Sequence, residues 1–100
     1  MVKHIVAWRL KEEALGNSKE QNAKLIKTKL ENLVGKIPGL LKAEVGINFT
    51  QDECASDVVL YSEFESKEAL SAYQVHPIHK EAAKFVLECR TERRVIDFEV

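Results

Sequence analysis

The sequence predicts an α+β domain in which two helical units cover one face of a four-stranded antiparallel sheet. Two observations carry this. Strand-like and helix-like periodicities follow one another in the order β-α-β-β-α-β, the split βαβ arrangement. Two of the strand segments are apolar on both parities, which marks strands in the middle of a sheet. One hundred residues make one domain, residues 1–100, because a chain of this size buries only roughly two-thirds of its unfolded surface.

From Val2 to Leu10 the chain is strand-like, with Val6, Trp8 and Leu10 on one side and Ile5 and Ala7 on the other. After the turn-like Leu15-Gly16-Asn17, Ser18 and Gln21 have the spacing of a capping box. Ala23, Ile26, Leu30, Leu33, Val34 and Ile37 then recur at helical spacing, and the helix is expected to stop near Gly35 to Pro38. Leu41, Ala43, Val45, Ile47 and Phe49 alternate with polar residues, the pattern of a strand nearer an edge with one wet face. Gln51 to Asp57 is a polar loop, and Val58 to Phe64 is a second central strand. Ser66 opens a helix carrying Leu70 and Tyr73; Pro77 interrupts it, and Ile78, Ala82, Phe85, Val86 and Cys89 resume the period toward Arg90. Val95 to Val100 is the last strand, with Ile96, Phe98 and Val100 on one side and Asp97 and Glu99 on the other.

Helices on one face leave Ile5, Ala7 and one parity of Val58 to Tyr61 without cover. A second copy of the same face, across a two-fold axis, is the simplest partner. A homodimer is therefore expected.

The formal net charge is −1, so no global field draws the chain to nucleic acid or to anionic lipid. The run Arg90, Arg93, Arg94 is offset by Glu88, Glu92 and Asp97 and reads as a solvated face. No apolar stretch approaches the roughly 20 residues of a membrane span, and no long apolar leader opens the chain. Cys54 and Cys89 have neither metal spacing nor the density of a disulfide scaffold. A cytoplasmic location is the expectation. Gly-rich phosphate loops and nucleophile motifs are absent, so no cofactor is expected.

All three histidines invite attention: His4 in the first strand, then His76 and His79 in the run Tyr73-Gln74-Val75-His76-Pro77-Ile78-His79. Pro77 suits the first position of a new helix, which places His79 in its first turn and lets side chains on both sides of the break converge. The positive end of that helix would lower the proton affinity of His79. A structural reading stands beside this one: His76 caps a helix, Tyr73 packs in the core with its hydroxyl on a carbonyl, and His4 is a satisfied buried imidazole. A metal site of His4, His76 and His79 is the weakest option, because Pro77 breaks the register and no carboxylate is evident beside them.

The opening Val2-Lys3-His4-Ile5-Val6, the turn Ile37-Pro38-Gly39-Leu40, Gly46, the Tyr73 to His79 run and the terminal Val95-Ile96-Asp97-Phe98 together resemble the stress-responsive A/B barrel (Dabb) family, over essentially the whole chain. That resemblance implies a ferredoxin-like fold that pairs into a dimeric α/β barrel, with a cavity between sheet and helices for a small apolar or carbonyl-containing molecule. Most members have no assigned reaction. In a polyketide-cyclising branch the functional positions correspond to His4, Tyr73 and His79: His79 would take a proton next to a carbonyl, Tyr73 would polarise the oxygen, and His4 would help hold the oxyanion. Haem-degrading and quinone-forming monooxygenases share the barrel at greater distance. Trp8 departs from the pattern, since its bulk shares the parity of His4 and could fill the cavity.

Overall fold

The computed structural model describes every residue from Met1 to Val100. The elements are β1 (Val2–Leu10), β2 (Glu13–Ala14), β3 (Asn17–Ser18), α1 (Lys19–Glu31), β4 (Leu40–Ile47), β5 (Val58–Phe64), α2 (Lys67–Val75), α3 (Pro77–Cys89) and β6 (Arg90–Glu99). The main sheet is antiparallel in the order β4-β5-β1-β6, so the two strands that are apolar on both parities are central. The fold class is α+β, as the periodicity indicates, with the second helical unit split into two helices. Beyond the expectation, Leu15 and Gly16 turn the chain through positive φ between β2 and β3, a two-residue hairpin.

The core lies between the helices and one face of the sheet. Val2, His4, Val6, Trp8 and Leu10 of β1 are buried there, against Ile26 and Leu30 of α1 and Val86 of α3. Phe85 joins only from the rim, half-buried with the Lys29 ammonium 4.9 Å above its ring. The predicted capping box closes α1: Ser18 Oγ accepts from Gln21 N, and Gln21 Oε1 accepts from Ser18 N.

α1 stops at Glu31, short of the Gly35 to Pro38 boundary, and Leu33 and Ile37 remain buried in the turns that follow while Val34 is exposed. The turn Ile37-Pro38-Gly39-Leu40 is closed by Leu40 N donating to Ile37 O over 3.3 Å, with Gly39 at φ +84°. Proline before a glycine in that conformation is the composition of a type II turn.

β4 corrects the alternation in two places. A register shift between Leu40 and Lys42 turns Leu41 outward and gives its core position to Leu40, and the strand ends before Phe49, which is 94% exposed. Its free edge is tied down by α1. Glu31 accepts from Val45 N (2.9 Å) and Lys27 donates to Val45 O (2.7 Å), so two backbone groups of an edge strand are satisfied.

β6 begins at Arg90, five residues before the expected start. Its register with β1 pairs Trp8 with Arg93, Val6 with Val95 and His4 with Asp97, so these face the helices' side; Ile5 pairs with Ile96 and Lys3 with Phe98 on the opposite face. The helices stop short of this edge, and every residue of β6 after Arg90 is exposed. The open face of the sheet carries Ile5, Ala7, Tyr61, Val59, Ile96 and Phe98, the last two 63% and 43% exposed.

Candidate active site

A cavity of about 240 Å³ lies between β1, β6 and the helices, its wall including His4, Val6, Trp8, Leu30, Tyr73, Gln74, His79, Val86 and Arg93. The three residues singled out from the sequence therefore meet at one place. β1 supplies His4 from its helix-facing parity, the last turns of α2 supply Tyr73, and the first turn of α3 supplies His79. The break between those helices makes the meeting possible. His76 ends α2 and caps α3, its Nδ1 accepting from Ile78 N over 3.1 Å, and Pro77 occupies the first position of α3. His76 is thus a capping residue, and no three His, Cys, Asp or Glu side chains gather as a metal-ligating cluster.

The rings pack directly. The Tyr73 and His79 centroids are 4.1 Å apart, Tyr73 and His4 6.3 Å, and Tyr73 and Phe64 4.8 Å in an edge contact. Trp8 is a wall of the cavity and leaves the contact between His4 and Tyr73 intact.

A carboxylate also belongs to the site, contrary to the sequence reading. Asp97 Oδ1 bonds His4 Nδ1 across the β1–β6 register. A carboxylate accepts, so Nδ1 carries the proton and only Nε2 is left to face the cavity. The backbone of His4 is held as well, its carbonyl accepting from the buried Ser62 Oγ over 2.7 Å.

No protein group bonds the Tyr73 hydroxyl, His4 Nε2 or the Trp8 indole N–H. No buried polar side-chain atom in the molecule lacks a partner, so these three atoms touch accessible space, and all three residues line the cavity. The alternative that placed the Tyr73 hydroxyl on a carbonyl is not realised. Burial pushes the proton affinity of Tyr73 above that of an ordinary phenol, which keeps it a hydrogen-bond donor.

His79 is half-buried, and its Nδ1 lies 3.4 Å from the Gln74 carbonyl. A carbonyl only accepts, which assigns the proton to Nδ1 and leaves the Nε2 lone pair free. Its pKa falls below the ordinary histidine value, chiefly through burial, which outweighs the opposing bond to the Gln74 carbonyl, with smaller contributions in the same direction as burial from His4, Arg93 and His76. The direction is the one expected from the sequence; the main cause is desolvation. The site thus combines a neutral imidazole, a protonated phenol and a carboxylate-backed imidazole on a wall that is mostly apolar and also carries Gln74, Arg90 and Arg93.

The sequence matches the Stress Responsive A/B Barrel Domain over residues 2–100. The chain belongs to this Dabb family. No curated protein matches it. Among solved structures the Dabb chain resembles a dimeric ferredoxin-like protein of unknown function from Bacteroides fragilis, with 32% identity, TM-score 0.86, and coverage of 99% of this chain and 95% of that one. A dimeric ferredoxin-like protein of unknown function from Jannaschia sp. CCS1 is 28% identical, TM-score 0.77, with 99% and 98% covered. A hydroxynitrile lyase from Passiflora edulis is 20% identical, TM-score 0.80, with 97% and 90% covered, and shares the Dabb fold. No helix of this Dabb protein is long and apolar enough to cross a membrane.

Proposed function

We propose that the protein is a homodimer whose cavity binds a small, partly apolar molecule bearing a carbonyl or hydroxyl oxygen. One observation carries this reading: the Tyr73 hydroxyl and His4 Nε2, both without protein partners, belong to residues that line one cavity whose wall includes the apolar Val6, Trp8, Leu30 and Val86. Its volume of about 240 Å³ is below the roughly 300–1,000 Å³ of drug-sized sites, which limits the occupant to a small molecule or one end of a longer one. A cytoplasmic setting fits the two free thiols, Cys54 and Cys89.

The test is a thermal-shift screen of small ketones and alcohols, since a ligand that binds only the folded chain raises Tm with its occupancy. Ketones that raise Tm of the wild type should lose that effect with Tyr73→Phe. An unchanged shift in that variant, or no carbonyl compound that stabilises the wild type, overturns the reading.

A second reading, cofactor-independent proton abstraction, is favoured by the carboxylate behind His4 and the free lone pair of His79. His79 Nε2 takes the proton from the carbon next to the carbonyl. Tyr73 donates to the oxygen that gains charge, and His4, its ring fixed by Asp97, stands beside it. Exchange of that carbon-bound proton for deuterium, followed by NMR, should depend on the protein and vanish in His79→Ala. Exchange at the solvent rate in the wild type excludes it.

A further inference from the structure

We propose that the cavity is built for an anionic ligand, an oxo or hydroxy acid whose carboxylate docks on Arg93, with Arg90 beside it, while its carbonyl lies at Tyr73. This deepens the pocket reading above and rests on it.

The charge of the lining comes first. Arg90, Arg93, His4 and His79 line the cavity, and no Asp or Glu does. Asp97 stands behind His4, bonded to its ring. Neither arginine has an internal counter-ion. The ion pairs of the molecule engage Arg9 with Glu92, Lys19 with Glu12 and Asp57, Lys27 with Glu31 and Lys67 with Glu99, and they leave Arg90 and Arg93 free. Glu92, which would be the nearest acid in sequence, is paired with Arg9 on the opposite face of the sheet.

Register explains the selection. Arg93 lies opposite Trp8 on the helix-facing side, whereas Arg94 lies opposite Ala7 on the open face. Of two consecutive arginines, one is turned into the cavity. Arg93 and Asp97 share a face four residues apart, or about 13 Å along the strand at a rise of roughly 3.3 Å per residue. The backbone of Arg93 therefore lies toward the other end of the cavity wall from the His4–Asp97 pair, and its side chain lines the cavity there. A planar guanidinium matches a carboxylate through two parallel N–H···O bonds.

Trp8 is the single tryptophan and forms part of the wall, so its fluorescence reports occupancy directly. The probes are 3-benzoylpropionate and its methyl ester, which share the ketone and differ in the charge. The wild type should bind the acid about tenfold more tightly, the effect of one charge-assisted hydrogen bond. That advantage should shrink at high salt. Arg93→Gln should erase most of it, with a Tm close to that of the wild type showing that the variant is folded.

Equal affinity for acid and ester overturns the anion site and leaves the neutral pocket standing. A preference for the acid that persists in both Arg93→Gln and Arg90→Gln overturns the assignment to these arginines. Failure of both probes to perturb Trp8 overturns this proposal together with the pocket reading.

Discussion

His79 shows how position sets chemistry at the scale of one residue. Burial lowers its proton affinity in the folded chain below the unfolded value of about 6.5, so the folded state binds the proton less well than the unfolded state. Its contribution to stability is therefore complete above the unfolded pKa and is lost as pH falls through the lower folded value. Tm of the wild type should fall more steeply between pH 7 and pH 5 than Tm of His79→Gln. The difference is modest, because a half-exposed ring is screened by water. Comparison with the variant isolates the contribution of His79, and coincident slopes would show a ring that is solvated in both states. His79, Tyr73 and His4 were legible because Pro77 fixes the helix break and strand parity fixes the face of His4. Asp97 and Arg93 were not. Their roles depend on which strand β6 joins and in what register, and local alternation cannot tell which of two faces meets the helices. The same ambiguity made Arg90, Arg93 and Arg94 read as one solvated run, although register sends Arg93 and Arg94 to opposite faces.

At the scale of elements, signals written in adjacent residues held and those set by distant contacts did not. Ser18, Ser66 and His76 cap their helices, and Pro77 starts α3, because capping needs only a side chain two or three residues from its target. The early end of α1 and the outward turn of Leu41 depend instead on how the chain enters β4. Gly39 is the hinge of that entry. It has φ +84°, and a Cβ there would stand 2.5 Å from Ala69 Cβ at the start of α2. Gly35 has a similar φ of +87° with nothing near its absent side chain. The two glycines separate backbone strain from crowding. Gly35→Ala should cost about 1 kcal/mol in urea unfolding, the penalty of a left-handed backbone alone. Gly39→Ala should cost more, about 2–3 kcal/mol, because α2 must also shift. Equal costs would mean that α2 moves aside freely and does not fix the position of Tyr73.

At the scale of the whole molecule, the helices cover one face of the sheet and leave the other apolar. The accessible surface is 6223 Å², against roughly 5,800 Å² expected for a monomer of this mass. The surplus agrees with an uncovered face. Ile5, Ala7, Val59, Tyr61, Ile96 and Phe98 make that face continuous across β5, β1 and β6, and Phe49 stands clear of the chain beyond the end of β4. Relatives of the same fold are dimeric. Two such faces brought together would remove the patch from water and protect the exposed strand β6 from unwanted pairing. Light scattering should give twice the 11.4 kDa chain mass, and Tm should rise with protein concentration. Val59→Asp or Ala7→Asp should halve the mass and make Tm independent of concentration, while the helix-side core of each subunit stays folded. Val6→Asp is the control on the opposite face: Val6 is 1% exposed beneath the helices, so a charge there should unfold the chain rather than release an intact subunit. A wild-type mass near one chain at micromolar concentration, or an intact monomer from Val6→Asp, would mean that the open face of the sheet is not where two copies meet.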